Sequence, residues 1–127
     1  MSALATKGLE VSFPASGDLS ASQYLAVKLN SAGRIVLVTA ITDIVIGILQ
    51  NKPDAIDKPA RILPIGCGGI SKWVMGETLA VGVLAGTGID GKAEADVITN
   101  YNMGIITYGG DADDMGAVLL TSMTKTA

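Results

Sequence analysis

The chain has 127 residues, of which 49% are hydrophobic and 17% charged, and its formal net charge at pH 7 is −3. This length predicts a single domain, and a net negative chain lacks the basic footprint of a nucleic-acid-binding protein. Histidine is absent and Cys67 is the single cysteine, which removes the usual catalytic base, the commonest transition-metal ligand and an internal disulfide. We therefore expect no enzyme, no metal site and no cofactor.

The chain is apolar, yet its sequence has no membrane-helix signal. No stretch approaches the ~20 apolar residues of a membrane helix, because the longest one, residues 35–49, is interrupted by Asp43 and Gly47. We also expect no signal peptide, because no basic segment precedes an apolar one at the start. An apolar chain of this kind hides surface in a partner. We expect an oligomer or a large assembly, and a tightly packed β monomer is the alternative.

The first twenty residues show no sustained periodicity and are interrupted by proline and glycine. We predict an extended N-terminal arm over residues 1–20 and one β-domain over residues 21–127. A flexible tail is the alternative for residues 1–7. Apolar arm residues, the last three of which alternate with polar ones as in a strand, are candidate contacts for a partner: Leu4, Leu9, Val11 and Phe13.

After the arm, short aliphatic runs alternate with turn residues. Strands are predicted over residues 24–29, 34–39, 43–50, 60–65, 70–75, 102–108 and 117–123. Gly82, inside the run 79–85, indicates a bulge or a close backbone approach within a further strand, and Asp90-Gly91 indicates a hairpin turn. A short helix is an alternative for residues 19–29. Short strands with regularly spaced turn signals predict an all-β fold, a small barrel or a sandwich.

A weak internal repeat runs through these strands. Residues 41–48 and 98–105 both fit I-T-[DN]-x-x-[IM]-G-I, and each follows a glycine-basic pair, Gly33-Arg34 or Gly91-Lys92, at a similar distance. Two copies at so long a period are not a solenoid. We interpret them as two similar halves of a pseudo-symmetric small barrel. Chance is the alternative, since Ile, Thr and Gly are common in this chain.

Trp73 and an acidic turn are further candidate sites. Neighbouring side chains of a strand face opposite ways, so Trp73 is either an exposed interface anchor or a core residue, and both remain open. Asp111, Asp113 and Asp114 have oxygen ligands suited to a hard cation. They lack the EF-hand pattern, so a solvated hairpin tip is the favoured interpretation.

Two catalytic or nucleotide-binding interpretations are weak. Residues 66–69 are rich in glycine like a phosphate-binding loop, but an extended segment follows them where such a loop needs a helix N-terminus. Glu77 and Glu94 have neither a nucleophile nor a metal to act with. No catalytic site is predicted.

The order and spacing of several motifs resemble the capsid decoration, or head cement, proteins of tailed bacteriophages, of the DUF2190 type. The resemblance covers most of residues 24–120, and the arm lies outside it. The motifs that carry it are Gly47-x-Leu49-Gln50-Asn51-x-Pro53, Gly69-Ile70-Ser71-Lys72, Ala80-x-Gly82-x-Leu84 and Asp90-Gly91-Lys92-Ala93.

The resemblance implies a β-barrel or β-tulip-like domain without enzymatic activity or cofactor. It implies a homo-oligomer, with a trimer expected, that sits on the outer surface of the phage head and bridges neighbouring major capsid proteins. The arm would add a strand to a capsid-protein sheet, and many copies on one shell would act by avidity. One alternative is a small β-barrel or β-clip domain that binds a ligand near residues 66–72 or assists an enzyme. Another is a different virion part such as a head-fibre base, although the short length argues against a fibre.

Overall fold

The computed structural model describes residues 10–95 and 102–121. These residues form ten β-strands and no helix, which confirms the all-β prediction. The predictions for Leu4 and Leu9 lie outside the described residues. Within the described part of the chain, no helix is long and apolar enough to cross a membrane.

The strands divide into two sheets in chain order. The first sheet contains β1 (Val11–Pro14), β2 (Ala26–Leu29), β3 (Ile35–Leu37), β4 (Gly47–Leu49) and β5 (Pro59–Pro64). The second contains β6 (Ile70–Val74), β7 (Leu84–Thr87), β8 (Ala93–Ala95), β9 (Asn102–Tyr108) and β10 (Met115–Leu120). Their strand orders are β1-β5-β4-β2-β3 and β6-β10-β9-β7-β8, and every paired strand is antiparallel to its neighbour.

The two sheets have the same topology, because adding five to each strand number of the first order gives the second. The registers also agree. Val27 is opposite Gly47 in the first sheet, and Ala85 is opposite Gly104 in the second. The internal repeat is therefore a structural one. We call residues 10–65 the first repeat and residues 70–121 the second repeat, and residues at equivalent places in the two are counterparts.

The predicted single barrel is corrected to two open sheets. The two edge strands of each sheet approach each other at one point. There, the residue after the first strand of the sheet forms an isolated parallel bridge with the first residue of the third strand. The bridges join Ala15 to Ile35 and Met75 to Ala93. A barrel needs all of its strands in one continuous ladder, whereas this chain uses its strands for two separate five-stranded ladders.

The central glycine of the repeated motif has the same steric role in both repeats. A Cβ on Gly47 would collide with the main-chain oxygen of Leu63, and a Cβ on Gly104 would collide with that of Leu119. Leu63 and Leu119 are themselves counterparts, since each pairs with the residue after the glycine. Only glycine permits this approach between neighbouring strands.

A turn closed by an ion pair is also repeated. Asp57 and Asp113 have positive φ angles of 67° and 69°. The Asp57 carboxylate accepts a hydrogen bond from Arg34 Nε at 2.8 Å, and the Asp113 carboxylate accepts one from Lys92 Nζ at 2.7 Å. The glycine-basic pairs of the sequence repeat thus hold the turn before the last strand of each sheet.

Several predicted boundaries shift. Gly82 has a φ of +90° in a turn that precedes β7, so it lies outside the strand in which a bulge was expected. Val11–Pro14 pairs with β5, and Ala15 and Leu19 are buried. The described end of the predicted arm, residues 10–20, therefore belongs to the first repeat.

The buried side chains form two clusters. One lies within the first repeat and comprises Ala15, Leu19, Val27, Ile35, Leu49, Ala60 and Ile62. The other unites both repeats. Its members from the first repeat are Ala26, Val38, Val45, Ile48 and Leu63, and those from the second include Trp73, Met75, Met103, Ile106 and Val118. The first repeat therefore covers the core of the second, and the two repeats are in contact through this shared cluster.

Candidate functional site

Trp73 lies at the centre of the contact between the two repeats. It is 0% exposed, and its indole Nε1 donates a hydrogen bond of 2.9 Å to the Gly91 carbonyl oxygen. The same oxygen accepts the main-chain N–H of Ala26 in the first repeat at 2.9 Å. Of the two possibilities left open by the sequence, the structure places Trp73 in the core. It anchors an interface inside the chain and is not on the surface of one molecule.

Polar groups extend this contact along β6. Gln50 Nε2 of the first repeat donates to Ser71 Oγ at 2.8 Å, and Val74 N–H donates to the Tyr24 carbonyl oxygen at 3.2 Å. The Lys72 ammonium group lies 5.7 Å from the centre of the Tyr24 ring, within the range of a cation–π interaction. Lys72, predicted as a possible ligand-binding group, faces the first repeat.

The internal interface joins two different surfaces. The first repeat contributes one sheet face, on which Ala26, Ile48 and Leu63 lie opposite one another on three adjacent strands. We call this the cover face. The second repeat contributes Ser71, Trp73 and Gly91, which we call the receiving face. Because unlike surfaces meet, the contact is head-to-tail.

Each surface has a more exposed counterpart on the other repeat. The counterparts of the cover face are Leu84, Ile105 and Leu119, aligned in the same way on the second sheet. We call them the outer cover face. Ala26, Ile48 and Leu63 are at most 2% exposed, whereas these three leucine and isoleucine side chains are half-buried.

The counterparts of the receiving face are Val11, Phe13 and Gly33, which we call the outer receiving face. Val11 and Phe13 are half-buried and Gly33 is exposed, while all three receiving-face residues are buried. Val11 and Phe13 were predicted as arm contacts. The structure places both on β1, where they alternate with exposed residues and face the same side of the strand, and Gly33 is grouped with them as the counterpart of Gly91.

Sequence reasoning missed the outer cover face. Leu84, Ile105 and Leu119 lie in predicted strands, but their alignment depends on strand register. The signal that could have found them is the repeat itself, because Ile105 ends the motif whose first copy ends at Ile48. Thr107, the counterpart of Gln50, is a second indication that the outer cover face is a contact surface. Among the described residues, its hydroxyl oxygen is the one buried side-chain polar atom without a hydrogen-bond partner.

The acidic turn is held by internal bonds. Thr78 Oγ1 donates to Asp111 Oδ1 at 3.1 Å, and Asp114 Oδ2 accepts the Asp111 N–H at 2.9 Å. Asp113 carries the ion pair with Lys92 at 2.7 Å. In residues 10–95 and 102–121, no group of three or more His, Cys, Asp or Glu side chains is arranged to hold a metal ion. These contacts give the three carboxylates a structural role in the turn.

Glu94 has a raised pKa, chiefly because of burial and secondarily because of the negative charges of Glu77 and Asp90. Glu77 is engaged with the main chain, where its Oε2 accepts the Ala95 N–H at 3.1 Å. Gly88 packs directly against the Glu94 carboxylate, since a Cβ there would collide with it. Desolvation by a neighbouring main chain and repulsion between carboxylates thus account for the shift, and neither requires a catalytic function.

Asp43 is a second group with a shifted pKa. A hydrogen bond from Lys28 at 2.9 Å and further ones from the main-chain N–H groups of Thr39 and Ala40, each at 3.0 Å, surround its carboxylate. The Lys28 hydrogen bond is the largest cause, and together they lower the pKa of Asp43 to about 2. Asp43 belongs to the repeated motif and fixes the polar corner before β4.

Comparison with known proteins gives a fold and no family. No protein-family model matches the chain, and no curated protein matches it. Among solved structures, the chain is similar to the N base of head fiber gp8.5 from bacteriophage phi29. The TM-score is 0.65 at 18% sequence identity, and the match covers 92% of this chain and 100% of that one. At this identity, the likeness establishes a shared all-β fold.

Proposed function

We propose that this chain is a structural, non-enzymatic protein of a phage virion, located on the outer surface of the head. The observation that carries the proposal is the match to a head fiber base, which covers all of that chain. The sequence resemblance to head decoration proteins supports it independently, because it rests on motif order. Both lines concern proteins of the phage head, although they differ in the kind of attachment.

The partner we propose is the major capsid protein, and the action is to bridge neighbouring copies of it. The chain is apolar, with half-buried aliphatic side chains on the outer cover face, which suits a protein that works in an assembly. A homo-oligomer, with a trimer expected, would contact several capsid subunits at once and gain affinity by avidity.

Cosedimentation with mature heads that lack this protein tests the proposal. We expect saturable binding at a fixed ratio to the capsid protein, and heads that lack the protein should break at lower temperature or lower external ionic strength. A folded protein that does not sediment with the heads would contradict the proposal. Heads that bind the protein without gaining resistance to breakage would leave virion attachment in place and exclude the bridging role.

The structure sharpens the test of the predicted arm. Residues 1–9 precede every described contact, whereas β1 pairs with β5 over four residue pairs. A deletion of residues 1–9 keeps all of these described contacts, and if the arm binds capsid protein, it should weaken binding to heads. Circular dichroism of the variant separates weaker binding from a loss of fold. A deletion of residues 1–13 removes most of β1 as well, so it should unfold at lower denaturant concentration. Equal head binding by the shorter deletion and by the full chain would exclude a role for the arm.

A further inference from the structure

We propose that copies of this chain associate head-to-tail, with the outer cover face of one copy on the outer receiving face of the next, in the geometry of the contact between its own two repeats. The partner is thus a second copy of the chain. This inference does not depend on the phage assignment, since it concerns contacts between copies of the chain alone.

The first argument is continuity with an interface that already exists. The two repeats have the same strand order and equivalent registers, so the chain presents each surface twice. One cover face and one receiving face meet inside the chain, where Gln50 bonds Ser71 and Ala26 bonds Gly91. A head-to-tail contact leaves one unused surface of each kind, and such contacts between identical units continue into rings or open chains.

The second argument is the exposure of the unused surfaces. Ile48 is 0% exposed, and its counterpart Ile105 is half-buried. Trp73 is 0% exposed, and its counterpart Phe13 is half-buried. The unused surfaces have therefore kept apolar side chains at positions that, in the internal contact, are sealed from solvent. Apolar side chains that stay partly exposed at positions equivalent to a sealed interface favour a contact with another copy of the chain.

The third argument is chemical. Ala26 of the cover face is replaced by Leu84 in the outer cover face, and Ser71 of the receiving face is replaced by Val11 in the outer one. In the proposed contact, Thr107 takes the place of Gln50 and Val11 takes the place of Ser71, so a polar residue faces an apolar one where the internal contact has a hydrogen bond. Both changes make the proposed contact more apolar than the internal one. This is the direction expected for an interface whose free energy of association comes from burial of apolar area.

Complementation between two variants tests the proposal. Ile105→Arg places a charge on the outer cover face, and Val11→Arg places one on the outer receiving face. Ile56→Arg is the matched control, because Ile56 and its counterpart Ala112 are both exposed and so lie outside both surfaces. By analytical ultracentrifugation of the full chain, we expect wild type and the control to associate, and each of the other variants to associate about 100-fold more weakly.

The decisive measurement is the equimolar mixture of the two variants. Each retains one intact surface, and these two surfaces are complementary, so the mixture should form heterodimers and nothing larger. A monomeric wild type at millimolar concentration would overturn the proposal. So would a mixture that stays monomeric while wild type associates, because that result indicates a contact between like surfaces. Both outcomes are separate from head binding, which tests the proposed function.

A crosslinking experiment tests the same geometry with small substitutions that place no charge in the fold. In a Cys67→Ala background, Val11→Cys and Thr107→Cys are introduced into the same chain, at the counterparts of Ser71 and Gln50, whose side chains bond at 2.8 Å. Because glutamine reaches further than cysteine, a short bismaleimide crosslinker is used in place of direct oxidation. It should give a ladder of covalently linked species, and each single-cysteine variant should stop at a dimer or below. The absence of a ladder from an associated sample would overturn the proposed geometry.

Discussion

The two repeats share a backbone plan but fill it with different side chains. Ala15 is bridged to Ile35 in the first repeat, and Met75 is bridged to Ala93 in the second. Both repeats have the bridge, but the small residue follows the first strand in one repeat and begins the third strand in the other. Cores tolerate volume-conserving exchanges better than single changes of volume. The comparison therefore indicates that the strand order is maintained by fixed backbone requirements, and the packing by compensation between neighbours.

A second difference is the burial of the aromatic residue at the equivalent position of the first strand in each repeat. Trp73 is 0% exposed because the first repeat covers it. Phe13 packs against the core of its own repeat and stays half-buried, because no second repeat covers it among the described residues. The same place in the fold is thus a core site in one repeat and a surface site in the other. Position in a chain of repeats, more than local sequence, decides burial at this site.

The largest expected effect follows from this difference in depth. Trp73→Ala should lower the free energy of unfolding by about 3–5 kcal/mol, because it leaves a cavity between the repeats. Phe13→Ala should cost about 2 kcal/mol, since its side chain packs against the first-repeat core but is already partly exposed. Urea denaturation at a concentration where the chain is monomeric measures both. Equal losses would mean that the first repeat does not seal Trp73 as described.

The glycines test whether the backbone requirement is the same in both repeats. Gly47→Ala and Gly104→Ala should each cost about 3 kcal/mol, because the added methyl group meets a carbonyl oxygen of the neighbouring strand and the strands must separate. Gly17→Ala is the control, as no atom lies within 4 Å of its Cβ position. Gly104 also has a φ of +151°, which strains any other residue, so a smaller loss at Gly104 than at Gly47 would mean that the close approach of the strands does not set the cost.

The exchanged bridge pair allows a double-mutant cycle. Ala15→Met should overpack the first repeat, and Ile35→Ala should leave a cavity. Together they reproduce the pair found in the second repeat, so the double variant should be more stable than the sum of the two losses predicts, by about 1–3 kcal/mol. Thermal and urea denaturation of the four proteins give the coupling energy. Strict additivity would mean that the exchange between repeats is not compensatory.

Sequence patterns predicted the strands and the repeat well, because both depend on local features. The strand 102–108 was predicted at its observed bounds, and the motif with Gly47 and Gly104 identified the two copies. The patterns failed where burial depends on a distant segment. Whether Trp73 is covered depends on how the first repeat sits on it, and no local alternation encodes that. The open sheets were missed for the same reason, since closure depends on which strands pair at the ends of the ladder.

The smallest expected effect is a difference in acid sensitivity between the repeats. Asp43 has a folded-state pKa of about 2, below the ordinary value near 3.9, so its contribution to stability is complete above about pH 4 and is lost as the pH falls towards 2. Its place in the motif is taken by Asn100 in the second copy, which has no charge to lose. The stability gap between wild type and Asp43→Asn should therefore narrow between pH 4 and pH 2. Lys28→Gln removes the main cause of the low pKa and should reduce this pH dependence, whereas a gap that stays constant from pH 7 to pH 2 would show that the Asp43 charge does not stabilise the polar corner.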